Sequence, residues 1–219
     1  MEFTCISTGS AGNGYILQSE SSVLIIEAGK GLFKKILANI PKEKKISGLI
    51  YTHLHSDHYG DVQKFAELTE ILYFNSENRA ETEYFIIKRF KVLHNVECWA
   101  MAIYCKSEKK TMIFITDFVK IIDKEIYNFK PDFIAVELSY NEMIANQMTE
   151  SDRHGLMWHS SDYHSIGLLR KFFNSNSAMR AVTIHKSERA CNYGLTNKQL
   201  FQNFGLKAEI ITEGKKYKF

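Results

Sequence analysis

Apolar and polar residues alternate in short bursts along the first part of the chain. FTCIST, GYILQS and SVLIIEAG are runs of β-branched, aromatic and aliphatic residues separated by Gly, Ser and Asn, the punctuation of strands joined by turns. ISGLIYTH is apolar almost throughout, as a strand covered on both faces would be. Past it, DVQKFAELTE places Val62, Phe65, Ala66 and Leu68 on one side and predicts a helix. EILYFNS, CWAMAIYC, TMIFITD and FIAVELS restore the strand pattern, and the polar segment from Asn141 to Gly155 has no clear period. SDYHSIGLLRKFFNS predicts a helix capped by Ser161 or Asp162, with Ile166, Leu168, Leu169 and Phe172 as its apolar face. RAVTIH reads as a strand, LTNKQLFQNFG as a helix stopped at Gly205, and AEIITEGKKYKF as a closing hairpin over Glu213 and Gly214. Strands in two sets, with helices between and after them, point to two sheets packed face to face with helices outside. The only prolines are Pro41 and Pro131, and no linker or repeat breaks the pattern, so residues 1–219 are expected to form a single domain.

Composition narrows the class. Apolar residues make up 45% of the chain and aromatics 13%, which excludes a disordered protein. The net charge of +3 permits a polyanionic substrate without requiring one. Cys5, Cys98, Cys105 and Cys191 form no C-x-x-C pair and are expected as free, buried thiols of a reducing compartment. The start MEFTCISTGSAGNGY lacks the basic and apolar regions of a signal peptide, and no apolar run reaches membrane-spanning length, so a cytoplasmic protein with no membrane partner is expected.

The chemistry gathers at THLHSDHYGD. His53, His55, Asp57 and His58 read H-x-H-x-D-H, concentrating three of the eight histidines in six residues. In an extended chain His53 and His55 fall on the same side and can converge on one ion, while Asp57 and His58 come where the chain turns into the next element. Three imidazoles this close repel when protonated, so the cluster makes sense neutral and metal-bound. Imidazole and carboxylate suit zinc, and also iron or manganese. Such a cluster cannot complete two coordination spheres. Further candidates lie beside strand ends: His94 in KVLHNVECW, Asp117 closing TMIFITD, and His185 closing RAVTIH. His154 and His164 carry less, the first in an uncertain loop and the second in a helix's first turn. The lysine runs KEKK and GKKYK read as solvated faces.

H-x-H-x-D-H followed by a lone His, a strand-end Asp and a strand-end His resembles the metallo-β-lactamase superfamily, in order and approximate spacing, along nearly the whole chain. STGSAGNGYIL and VLIIEAG also resemble that family's opening hairpin, with Glu27 where the family usually has Asp. The resemblance implies an αββα four-layer sandwich of two mixed sheets with helices outside. It implies two divalent ions, zinc first and manganese or iron as alternatives. His53, His55 and His94 would hold the first, Asp57, His58 and His185 the second, and Asp117 would bridge them, with Glu27 supporting the loop from behind. A hydroxide shared by the two ions would be the nucleophile of a metal-assisted hydrolysis.

Within the superfamily, MWHSSDYHSIGLL resembles the His-Ser-Thr loop of the tRNA 3′-processing endonucleases, and still more the Gly-His-Leu-Ser segment of YycJ-like exonuclease relatives. On that resemblance His159 protonates the leaving oxygen of a phosphodiester, joining Asp57 as a catalytic candidate, and Ser160 and Ser161 bind a phosphate oxygen at the following helix N-terminus. A secreted β-lactamase, a flavodiiron protein, a β-CASP nuclease and a glyoxalase-type enzyme would each need a segment not seen here. The expectation is therefore a minimal YycJ-like phosphodiesterase or nuclease acting on nucleic acid or nucleotides. The alternatives are a small-molecule ester, lactone or thioester hydrolase of the same superfamily, or a non-catalytic metal-binding module.

Overall fold

The computed structural model describes residues 1–219. In chain order the strands are β1 (Glu2–Ser7), β2 (Gly14–Gln18), β3 (Ser22–Ala28), β4 (Lys45–Ile50), β5 (Arg79–Glu81), β6 (Phe85–Leu93), β7 (Cys98–Cys105), β8 (Lys110–Ile115), β9 (Lys120–Ile121), β10 (Phe133–Glu137), β11 (Arg180–Ile184), β12 (Ala208–Ile210) and β13 (Lys216–Lys218). The helices are α1 (Phe33–Ala38), α2 (Ser56–Tyr59), α3 (Glu142–Ala145), α4 (Glu150–Arg153), α5 (Asp162–Ser175) and α6 (Tyr193–Phe204). The residues gather into two compact units: Met1–Arg89 with Met101–Thr111 and Thr212–Phe219, and Phe90–Ala100 with Met112–Ile211. Both sheets are mixed. One runs β13-β1-β2-β3-β4, and the other β12-β11-β10-β8-β7-β6-β5, with β9 on β6.

In the first unit, β1, β2 and β3 pair antiparallel and β4 joins β3 in parallel, with Ile26 opposite Ile50. Ile16, Val23, Ile25 and Leu49 bury against Leu32 and Ile36 of the α1 region and against Val62 and Phe65. The expected helix over Asp61–Glu70 is a single 3-10 turn, Val62–Phe65; Ala66 and Leu68 are exposed. The chain is drawn away from helix because Leu49 N–H donates to the Glu70 carbonyl and Leu72 N–H to the Leu49 carbonyl. EILYFNS accordingly forms one parallel bridge, Ile71 to Leu49, and no named strand.

In the second unit, β8, β10, β11 and β12 are parallel neighbours. Ile115 lies opposite Val136 and Glu137 opposite Ile184, so the carboxyl ends of three adjacent strands finish together. α5 and α6 form where expected: Ser161 caps α5 by accepting the His164 N–H, and Gly205 ends α6 at φ 62°. Ile166, Leu168, Leu169 and Phe172 are all buried. The expected terminal hairpin is not formed. Residues 213–214 do turn, but β12 extends one sheet beside β11 while β13 extends the other beside β1, so each satisfies the backbone of a different edge. All four cysteines are buried, and none forms a disulfide. No helix is long and apolar enough to cross a membrane.

Candidate metal centre

The first unit carries the histidine loop. β3 and β4 end side by side, which sets Glu27 against Thr52, the residue before His53. Glu27 is fully buried and sits at φ 62°, a left-handed conformation rare for a non-glycine residue. Its Oε1 accepts the Thr52 hydroxyl at 2.6 Å and the Thr52 N–H at 3.2 Å. Thr52 Oγ1 in turn lies 2.9 Å from His53 Nδ1. A carboxylate only accepts and a hydroxyl has one hydrogen, so His53 Nδ1–H donates to Thr52 and the His53 Nε2 lone pair is presented forward. That nitrogen is 3.0 Å from His55 Nδ1, and the His53 and His58 rings are 4.3 Å apart. His58 Nε2 lies 3.3 Å from Asp57 Oδ2, and the Asn13 amide reaches both, at 3.0 Å and 3.3 Å. His53 and His58 are buried, and Asp57 and His55 half-buried. Four donors thus crowd one short loop, in the mix of imidazole nitrogen and carboxylate oxygen that a divalent transition ion takes.

The second unit carries His94, Asp117, His159 and His185. His94 directly follows β6, a strand the sequence reading missed because its burial slips phase between Ile87 and Phe90. His94 Nδ1 lies 2.9 Å from the Trp158 carbonyl, which can only accept, so its Nε2 is likewise presented as the bare nitrogen. Asp117 and His185 follow β8 and β11, at φ 49° and 53°. Two of the expected ligands therefore sit in strained backbone after the strands on either side of β10.

Between them stands Glu137, the last residue of β10, fully buried. Its Oε1 is 2.7 Å from His159 Nδ1 and 3.2 Å from His185 Nδ1, while its Oε2 accepts the N–H groups of Phe118 and Ser160 at 3.0 Å and 3.1 Å. Asp117 Oδ1 reaches the same His159 nitrogen at 2.9 Å and His185 Nδ1 at 3.3 Å. Ligand atoms of Asp117, Glu137, His159 and His185 all lie within 4.8 Å of one another. Burial disfavours the His159 cation, but hydrogen bonds to Asp117 and Glu137 overcome this and raise its pKa to about 10. Glu137 is held below the ordinary carboxylate range: burial opposes this, and the bonds to His159 and His185 prevail. Two buried carboxylates packed against imidazoles, with each His94 and His53 tautomer already set, fit divalent metal ions.

The sequence reading named neither Glu137 nor Asn13. FIAVELS delivers an acid at a strand end as TMIFITD does, a signal that could have found Glu137. Nothing in the pattern marks Asn13. Ser160 and Ser161, expected to hold a phosphate, are fully buried with protein partners: Ser160 Oγ lies 2.9 Å from Ser165 Oγ, and Ser161 Oγ donates to Glu142 while capping α5. His154 and His164 are exposed.

Known proteins bear on this geometry. The family model for the metallo-beta-lactamase superfamily matches residues 7–83. Ribonuclease Z of Mycolicibacterium paratuberculosis (strain ATCC BAA-968 / K-10) is 32% identical over 69 residues, a stretch covering 28% of this chain and 25% of the relative. The match to that curated relative therefore spans about a quarter of its length. The metallo-beta-lactamase fold protein YhfI from Bacillus subtilis is 17% identical, with a TM-score of 0.72 over 99% of this chain and 98% of its own. A diphosphatase from the PhnP family is 14% identical, with a TM-score of 0.74 over 100% of this chain and 97% of its own. The fold class expected from the sequence is the one these structures share.

Proposed function

We propose, on the premise that the chain belongs to the metallo-β-lactamase superfamily, that it is a metal-dependent hydrolase cleaving phosphodiester bonds of nucleic acid or nucleotides. The reading takes residues 1–219 as one domain of that family. On this reading His53, His55 and His94 would hold one divalent ion, Asp57, His58 and His185 would hold a second, and Asp117 would serve both, with zinc, manganese or iron as the metal. Two such ions supply Lewis-acid polarisation and an acidified water. The chain's own residues do the rest. Glu27, through Thr52, fixes the His53 ring, and the Trp158 carbonyl fixes His94.

The observation that carries the phosphodiester reading is the clamp on His159. Its Nδ1 is held by Asp117 and Glu137, so the ring is oriented and its other nitrogen can deliver a proton to a leaving oxygen. The side chain keeps 22% of its exposure, enough for substrate to reach it. The names of the relatives support the same chemistry, since ribonuclease Z and a diphosphatase both act at phosphorus–oxygen bonds.

The test is turnover of bis(p-nitrophenyl) phosphate, a DNA duplex, a lactone and nitrocefin with Zn²⁺ or Mn²⁺, alongside metal content by mass spectrometry. Diester cleavage is expected, with His159→Ala slowing it by about 10²–10⁴-fold at unchanged metal content. Turnover of the lactone or nitrocefin alone would remove the phosphodiesterase reading, and loss of metal in His159→Ala would remove the role given to His159.

A further inference from the structure

The second unit contains a groove of about 890 Å³, at the upper end of small-molecule pockets. One wall is the outer face of α5, where Tyr163, His164, Gly167, Arg170 and Lys171 recur at helical spacing. The other is the stretch from Phe118 through Tyr127, beginning at the residue after Asp117, with Leu93, the residue before His94, alongside. The two parts of that second wall are joined where the Val119 N–H donates to the Leu93 carbonyl at 2.9 Å. Phe118 donates to Glu137, so the groove starts at the strand-end cluster itself.

Its chemistry is one-sided. Lys120, Lys124, Arg170 and Lys171 line it, and no carboxylate does. All four cations are exposed. Aromatic and aliphatic surface lies between them. Tyr163 is 73% exposed, Leu93 is 41% exposed, and Tyr127 is half-buried with Lys171 Nζ 4.9 Å from its ring centroid. Exposed tyrosine interleaved with lysine suits a polyanion that also offers flat apolar faces. Base faces are open in an unpaired strand and hidden in a duplex. Gly167 supplies room at the floor: a Cβ built there meets nothing within 4 Å.

We infer that this groove receives an unpaired nucleic-acid strand, its phosphates on Lys120, Lys124 and Lys171 and a base on Tyr163, leading the strand to the cluster at Asp117, Glu137 and His159. The inference rests on the phosphodiesterase reading and narrows its substrate to single strands.

Binding is measured on the full-length chain with metal chelated, so that nothing is cut, by fluorescence anisotropy of short labelled oligo(U), oligo(dT) and a hairpin duplex. The single strands are expected to bind at least tenfold more tightly than the duplex. Gly167→Phe, which fills the floor without a clash at Cβ, is expected to weaken single-strand binding tenfold or more while melting like the parent. Lys120→Ala with Lys124→Ala is expected to flatten the salt dependence by about 1.4 in log–log slope. Lys34→Ala with Lys42→Ala, an equal charge loss in the first unit, is expected to change neither affinity nor slope. Equal affinity for the duplex, or unchanged single-strand affinity in Gly167→Phe, overturns the proposal. So does a dimer of the parent in sedimentation that Gly167→Phe dissolves, since a second copy would then fill the groove. Diester turnover by the metal-loaded parent is followed separately: its absence withdraws the hydrolase reading, while the anisotropy still decides the groove.

Discussion

The single hydrogen of the Thr52 hydroxyl is committed to Glu27, and that commitment decides which His53 nitrogen can meet a metal. Thr52→Val keeps the β-branched shape and the backbone N–H to Glu27 but removes the relay. The expected result is a 10–100-fold loss of metal affinity with a native melting temperature. Competition against a chromophoric chelator measures it, and unchanged affinity would mean that His53 is oriented by something else. The relay also shows what can be read from residue types alone. H-x-H-x-D-H announces a metal because those side chains have few other reasons to cluster, and His94, Asp117 and His185 were legible from their places beside strand ends. Glu137 was not picked out, although His159, His185 and the N–H groups of Phe118 and Ser160 all meet it, because a single acid after an apolar run is ambiguous until its strand is known to lie between two others. Asn13 and the Trp158 carbonyl were invisible for a deeper reason. They act through positions brought close only by the fold, across 45 and 64 residues of chain.

Elements meet at the histidine loop through backbone as well as side chains. Asn13 N–H donates to the Asp57 carbonyl at 2.6 Å, Gly29 N–H to the Asn13 carbonyl at 2.9 Å, and Lys30 N–H to the Ser56 carbonyl at 2.9 Å. These bonds press the end of β3 and the β1–β2 connection against the start of α2. Gly29 sits where they converge: a Cβ there would lie 2.1 Å from the Asp57 carbonyl oxygen and 2.8 Å from the Asn13 nitrogen. Neither neighbour is the tip of a flexible side chain, so the loop itself must move. Gly29→Ala is expected to destabilise the protein by about 1–3 kcal/mol and to weaken metal binding as Asp57 is displaced. A denaturant melt and a metal titration check this, and a variant as stable as the parent would show the contact to be slack. Elements were legible where one rule dominated. α5 and α6 have a cap, a period and a stop. The 61–70 segment had the period alone, and backbone bonding to Leu49 overrode it. β12 and β13 had strand composition, but which edge each would join depends on the finished sheets.

Across the chain as a whole, the His159 clamp and metal binding make stability depend on pH in opposite senses. In the metal-free protein His159 has a pKa of about 10 against an ordinary 6.5. The stabilisation this gives is complete below about 6.5, where the ring is charged in both folded and unfolded chains. It is lost as pH rises toward 10, because the folded ring must then give up the proton that bonds it to Asp117 and Glu137. Glu137 titrates below its ordinary 4.5, so its contribution is complete above that value and disappears as pH falls through the depressed folded pKa. The His159 and Glu137 contributions to the metal-free fold are therefore both complete between about pH 4.5 and 6.5, and the His159 contribution declines from there to pH 9.5. Metal asks for the reverse, since imidazoles must be neutral and carboxylates ionised to act as ligands, so binding strengthens as protons leave. Melting curves with chelator and with saturating Zn²⁺ should thus lie close together near pH 5 and separate as pH rises. A chelated His159→Gln variant whose melting profile from pH 6.5 to 9.5 parallels that of the parent would mean that His159 is not held as a cation by its two carboxylates. A gap that narrows with rising pH would mean that the ion is bound elsewhere than on these histidines.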